Sequence, residues 1–213
     1  MAVHINIKDS SAEAVAVDYL KSGSVIAVPT DTVYGLACDA TNVTAIKNLY
    51  SIKNRIQSKP LAICLSQVSE LELWAEVHHL PIDLLNALLP GPFTLILKST
   101  NNNLDTSLSL RGNVGIRIPN YSFIRNISGG LGKPIALTSA NLSDEPSATD
   151  ILGFKSIWNQ IPIIFDGGKL KYNDSASTVV DLTEPGLFKI IRKGAGYETM
   201  LNIFKEFNLE VKS

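Results

Sequence analysis

The chain has 213 residues, long enough to bury a core without disulfides or a structural metal, and short enough to make one domain over residues 1–213 the first expectation. Hydrophobic residues make up 45% and charged residues 18%, which excludes a disordered chain of high net charge and few aliphatics. A formal net charge of -1 leaves no overall basic field to draw the protein to nucleic acid or to an anionic membrane, so any nucleic-acid contact must be weak, local or transient.

In chain order, Ser10 to Ser22 begins with the capping pair Ser10 and Glu13 and sets Ala14, Val17 and Leu20 on one face before Gly23, which predicts a first helix. Val25 to Val28 is an apolar run stopped by Pro29, and Asn42 to Lys53 places Ile46, Leu49, Tyr50 and Lys53 at helical spacing. Leu61 to Leu65 reads as a buried strand, Val68 to Val77 and Ile82 to Leu89 as helices, and Phe93 to Leu97 as a strand closed by Asn101 to Asn103. Further strands are expected at Val114 to Ile118, Pro134 to Thr138, Pro162 to Phe165, Ser177 to Leu182 and Leu187 to Arg192. Helices are expected near Tyr121 to Ser128, Asp150 to Asn159 and Tyr197 to Phe207. Thr183 to Gly186 is short enough to make a hairpin of the last two strands, so this α/β sheet is expected to be mixed. No repeat or interdomain linker interrupts the pattern, and the residues after Phe207 read as a short tail.

Met1 to Val15 carries Lys8, Asp9 and Glu13 and no apolar stretch of signal-peptide length, and no later run approaches membrane-spanning length. The expectation is a soluble, cytoplasmic protein with no membrane partner. Cys38 and Cys64 are too few and too far apart for a zinc knuckle, a CxxC pair or a disulfide framework, and read as buried small side chains.

Polar residues gather at strand ends and in the loops beyond them, where open α/β sheets place their ligands. Pro29 to Leu36 has three hydroxyl groups and a carboxylate within five residues; it is either a capped turn or the lining of a polar site. Lys53, Arg55 and Lys59 bring three cations to a helix C-terminus, either solvated against the helix dipole or clamping a triphosphate. Arg117 interrupts an apolar strand, so its guanidinium must meet an anion or water, supplied by a structural ion pair or by a carboxylate ligand. Thr138 to Ser143 offers hydroxyls and an amide suited to phosphate, ribose or a helix cap. Ser175 to Thr178 and Arg192 to Gly194 complete a set of cations and hydroxyls. No GxxxxGK[ST] or GxGxxG loop occurs. His4, His78 and His79 lie outside all these segments, which argues against a Ser-His or Cys-His hydrolase and against a histidine zinc site, so no metal ligands are assigned to the chain.

Taken together and in order, PTDTVYGL, KNRIQSKPLAI, GPFTLIL, VGIRIP, ALTSANLS, STVVDL and IIRKGA resemble the successive blocks of the YrdC/Sua5/TsaC family, from Pro29 to Ala195. The resemblance implies a twisted mixed sheet with flanking helices and a concave, positively charged cavity. It implies synthesis of L-threonylcarbamoyladenylate and pyrophosphate from L-threonine, bicarbonate and ATP with Mg²⁺, a nucleotidyl transfer, and delivery to adenosine 37 of tRNA by a downstream threonylcarbamoyl-transfer complex. Carried over by position, it gives Lys53 and Arg55 catalytic roles near the phosphates. Arg55, Lys59, Asn113, Ser139, Asn141, Ser147 and Arg192 fall on ATP, and Thr32, Arg117, Leu137 and Ser177 on threonine. Cys64, standing where many members have a threonine-contacting histidine, joins the threonine set. Asn54 replaces a frequent glycine, and Lys59 an asparagine. The linker and extra C-terminal domain of the Sua5 type are not expected in this single-domain form. The alternative weighed against the enzyme is an RNA- or nucleotide-binding module without catalysis, disfavoured by near-neutral charge and by the absence of aromatics interleaved on a basic stretch.

Overall fold

The computed structural model describes residues 2–54, 61–100, 104–143, 145–171 and 175–212. Its described strands are β1 (Val3–Asn6), β2 (Ile26–Val28), β3 (Gly35–Asp39), β4 (Ala62–Cys64), β5 (Phe93–Lys98), β6 (Ser109–Leu110), β7 (Asn113–Arg117), β8 (Ile135–Ser139), β9 (Ile163–Asp166), β10 (Thr178–Asp181), β11 (Leu187–Arg192) and β12 (Glu210–Val211). The helices are α1 (Ala12–Lys21), α2 (Val43–Lys53), α3 (Ile82–Leu88), α4 (Ser122–Leu131) and α5 (Tyr197–Glu206), with 3-10 segments at Val68–Leu73 and Ile151–Gln160. All twelve strands join one mixed sheet in the order β1-β9-β2-β3-β8-β4-β7-β5-β10-β11-β12, with β6 paired to β7. The expected hairpin is β10 with β11, which pair antiparallel.

Local chemistry accounts for several element ends. The Asn42 side chain accepts from Ala45 N at 3.0 Å and opens α2. Asn54 closes α2 in the left-handed region, φ 50 and ψ 43; asparagine tolerates that conformation better than other residues with a Cβ, which explains how it can stand in a glycine position. The expected Ser10–Glu13 capping pair does not form. Asp9 takes over the turn, its Oδ1 accepting from Ser11 N at 2.8 Å and from Ser11 Oγ at 2.7 Å.

Alternate residues of the strands divide the core in two. One sheet face sends Leu36, Cys38, Ile63, Leu95, Ile116, Ala136 and Val180 into a large cluster with residues of α2, α3 and α5. The opposite face sends Ile26, Val28, Ala37, Cys64, Ile135, Ile163 and Phe165 against Ala16 and Leu20 of α1 and Phe123, Ile124 and Ile127 of α4. Those two helices pack on each other and cover the β9-β2 side of that face. Toward β7, β5 and β10 the same face turns polar and lies open.

Candidate functional site

The open part of the face is the floor of a cavity of about 560 Å³, within the range of small-molecule sites. Its depth comes from missing side chains. Gly35, Ala62 and Gly115 all line it, and Ala62 lies in register with both Leu137 and Gly115. A Cβ placed on Gly115 would meet nothing closer than Thr94 Cγ2 at 3.4 Å, so the glycine is not demanded by packing against its neighbours. It keeps the floor low.

At one end of the floor, the C-terminal end of β7 carries Arg117, which is 6% exposed. Its Nη2 donates to Thr32 Oγ1 at 2.6 Å and to Asp31 Oδ1, and is 3.5 Å from Thr30 Oγ1. The Asp31 carboxylate is itself held by Asn120 N at 2.8 Å. Both readings left open for Arg117 are therefore compatible. A buried ion pair orients the guanidinium, yet Nε has no hydrogen-bond partner among the described residues. A buried donor without an acceptor costs free energy until something supplies one. Thr32 is 0% exposed; in the described geometry it steers Arg117.

On the facing side, Ser177 lies where the chain enters β10, bridged in parallel to Ala195. Its Oγ is 2.8 Å from Thr94 Oγ1, and Arg192 donates to its carbonyl through Nε at 3.2 Å and Nη2 at 2.8 Å. This approach needs Gly194, because a Cβ there would sit 2.2 Å from Ala176 O. Ser177, Thr94 and Arg192 all contribute to the cavity wall.

Lys53 departs from the expected phosphate contact. Its side chain is 1% exposed, and it does not belong to the described cavity wall. The ammonium donates to Ser139 O at 2.7 Å, Asn141 O at 2.8 Å and Asn141 Oδ1 at 3.0 Å. A helix C-terminal cation is usually solvated; here the carbonyls of the Ser139–Asn141 turn replace water, so Lys53 gathers that turn against the end of α2. The Asn141 amide is locked the same way, with Nδ2 donating to Glu145 O and Oδ1 accepting from Ser139 Oγ. Asn141 is buried beneath the wall, whereas Ser139 is in it.

Of the remaining expected residues, Asn113, Leu137 and Ser147 line the cavity. Arg55 and Lys59 lie outside the described residues. Cys64 needs correction: it is 0% exposed, packed among the residues beneath α4, and absent from the wall. Its Sγ is 3.7 Å from Leu65 O, and burial pushes the thiol up to about 12. Although register sets Cys64 beside Arg117, helix α4 closes over it. Tyr34, one of the three hydroxyls of the Pro29–Leu36 segment, lines the cavity, and sequence reasoning missed three polar wall residues: Thr94, Asp181 and Arg111. Thr94 stands inside a family-like block, and Asp181 ends β10. The Arg111-Gly112 dipeptide between two strand-like stretches was the available signal for the last.

The family model for Sua5/YciO/YrdC, described as telomere recombination, matches residues 18–194. The chain belongs to the Sua5/YciO/YrdC family. It is 42% identical over 202 residues to the threonylcarbamoyl-AMP synthase of Bos taurus, covering 91% of this chain and 72% of that one. With the human threonylcarbamoyl-AMP synthase it shares 41% identity, covering 90% and 70%. P. abyssi Sua5 in complex with L-threonine superposes with a TM-score of 0.86 at 27% identity, covering all of this chain and 62% of that one. The chain thus spans about three fifths of the P. abyssi protein. Every wall residue named above lies inside the Sua5/YciO/YrdC match, while α5 and β12 come after it. Among the described residues, no helix is long and apolar enough to cross a membrane.

Proposed function

We propose that this chain is a threonylcarbamoyl-AMP synthase, a nucleotidyltransferase that converts L-threonine, bicarbonate and ATP to L-threonylcarbamoyladenylate and pyrophosphate. The product serves a downstream complex that modifies adenosine 37 of tRNA. The observation that carries this reading is the Arg117 corner: a buried guanidinium in the cavity wall, oriented by Asp31 and Thr32, with Nε unpartnered among the described residues. That is what an amino-acid carboxylate requires. The mammalian relatives, named threonylcarbamoyl-AMP synthases, and the threonine complex of P. abyssi Sua5 support the choice of amino acid.

The chemistry needs no enzyme nucleophile. The threonine amine adds to bicarbonate with loss of water to give a carbamate. A carbamate oxygen then attacks the α-phosphorus and the bond to pyrophosphate breaks. The obstacle is to hold one anion against another, so the protein's task is positioning and charge stabilisation. Arg117, Leu137 and Ser177 would hold threonine. Asn113, Ser139, Ser147 and Arg192, with Arg55 and Lys59, would hold ATP, and Lys53 and Asn141 would keep Ser139 in place. Among the described residues no cluster of three metal-binding side chains occurs. Mg²⁺ would therefore enter on the ATP phosphates, where it neutralises charge, with Asp181 the carboxylate that the described wall offers.

The test incubates the purified chain with ATP, Mg²⁺, bicarbonate and each amino acid in turn. Threonine should give pyrophosphate and the acyl-adenylate, and Arg55→Ala should abolish both while leaving a folded protein. Absence of both products with threonine and the unaltered chain would sink the reading, as would nucleotide binding without turnover, which marks a binding module.

A further inference from the structure

The hairpin between β6 and β7 has only two residues in its turn, Arg111 at φ 54 and Gly112 at φ 78. Two-residue hairpin turns need positive φ at both positions, which asparagine, aspartate or glycine supply. Glycine fills the second position as expected. Arginine at the first is unusual, because it has a Cβ to strain the left-handed backbone and no short polar group to bond its own main chain. The turn is held in place: Gly112 O accepts from Ser99 N at 2.8 Å, and Asn113 is in register with Lys98.

Arg111 lies in the wall of the cavity. It has no ion pair among the described residues, whereas Arg117 in the same wall already holds Asp31. Position along β7 separates the two. Asn113 and Arg117 are four residues apart, about 13 Å at a strand's rise per residue, and Arg111 lies beyond Asn113. An amino-acid carboxylate on Arg117 would therefore leave Arg111 at the far end of the floor, whereas Arg192, in register with Val179 and through it with Thr94, enters the wall nearer Arg117.

We propose that Arg111 binds the pyrophosphate part of ATP, and that the strained backbone persists because the turn delivers this guanidinium to the cavity. The inference rests on the adenylate-forming reading for its place in the reaction. Planar guanidinium suits two phosphate oxygens at once, and a leaving pyrophosphate carries the charge that an unpaired cation in this wall lacks.

Arg111→Asn and Arg111→Gly relieve the backbone strain while removing the cation, so a purely structural role and a ligand role predict different results. The measurements are thermal melting, pyrophosphate and L-threonine binding by calorimetry, and KM for ATP. Melting temperatures should equal or exceed that of the unaltered chain. Pyrophosphate should bind at least about tenfold more weakly and KM for ATP should rise, with threonine affinity held within about twofold, as expected for loss of one charge-assisted contact. Arg111→Lys should recover part of the loss. Unchanged pyrophosphate binding in either variant overturns the assignment, and so does an equal loss of threonine binding, which would mean that the turn merely shapes the cavity. Pyrophosphate binding is read without turnover, so failure of the synthase assay with the unaltered chain stays distinguishable from failure of this inference.

Discussion

Two regions of one sheet face meet different fates. Where β9 and β2 supply Ile163, Phe165, Ile26 and Val28, the face is sealed by α1 and α4. Where β4, β7 and β5 supply Ala62, Gly115 and Thr94, no helix among the described residues covers it and a cavity remains. The covered region removes apolar area from water and stabilises the fold. Its neighbour offers small or polar side chains, gains little by burial, and keeps its space for a ligand. The lesson is that the site is built by leaving out side chains and a helix from an otherwise ordinary layer.

This contrast can be broken at several points. The largest loss of stability should come from Phe165→Ala in the covered region, about 3–5 kcal/mol, because its ring is fully buried and stands 5.3 Å from that of Phe123; chemical denaturation measures it. At the joint between α2 and the cavity wall, Lys53→Met should cost about 2–4 kcal/mol by stranding buried carbonyls. It should raise KM for ATP as the Ser139 turn loosens, with Lys53→Arg less severe. Wild-type stability in Lys53→Met would show that the ammonium does not hold the turn. Gly115→Val in the open floor should change stability by less than about 1 kcal/mol and yet weaken threonine and ATP binding by at least about tenfold, since the added methyls occupy ligand space. A large loss of stability there would mean that the floor is packed like the covered region. Smallest of all, Cys64 should resist alkylation at pH 8 in the folded protein and react only after unfolding, because its thiol is buried and held near 12, well above that pH. Rapid labelling, or protection by threonine, would return Cys64 to the cavity.

Much of the layout was legible because its signals are local. Apolar runs marked β2, β5, β7 and β11, the spacing of Ile46, Leu49 and Tyr50 marked α2, and the short Thr183–Gly186 link marked the β10–β11 hairpin. The misses have physical causes. β3 reads Gly-Leu-Ala-Cys-Asp without alternation because all five residues are buried, and a strand buried on both faces shows no period of two. β1 and β12 are short strands paired to distant segments, β1 with β9 and β12 with β11, and their pairing has no local mark. The stretches expected as helices after Val68 and Asp150 contain 3-10 turns, the second with a non-helical residue at Phe154.

Sequence by itself determined an α/β domain with hydroxyls and cations at its strand ends, because hydrophobic period and turn chemistry act between near neighbours. The ordered blocks tied that pattern to one family. Tertiary structure alone decided which of those polar groups share a cavity. Folding turned the Lys53 ammonium inward to the carbonyls of Ser139 and Asn141, put Cys64 under α4, left Nε of Arg117 without a partner among the described residues, and carried Arg111 into the wall on a two-residue turn. Each of these outcomes depends on groups far apart in the chain, whose distances and burial exist only once the sheet has assembled.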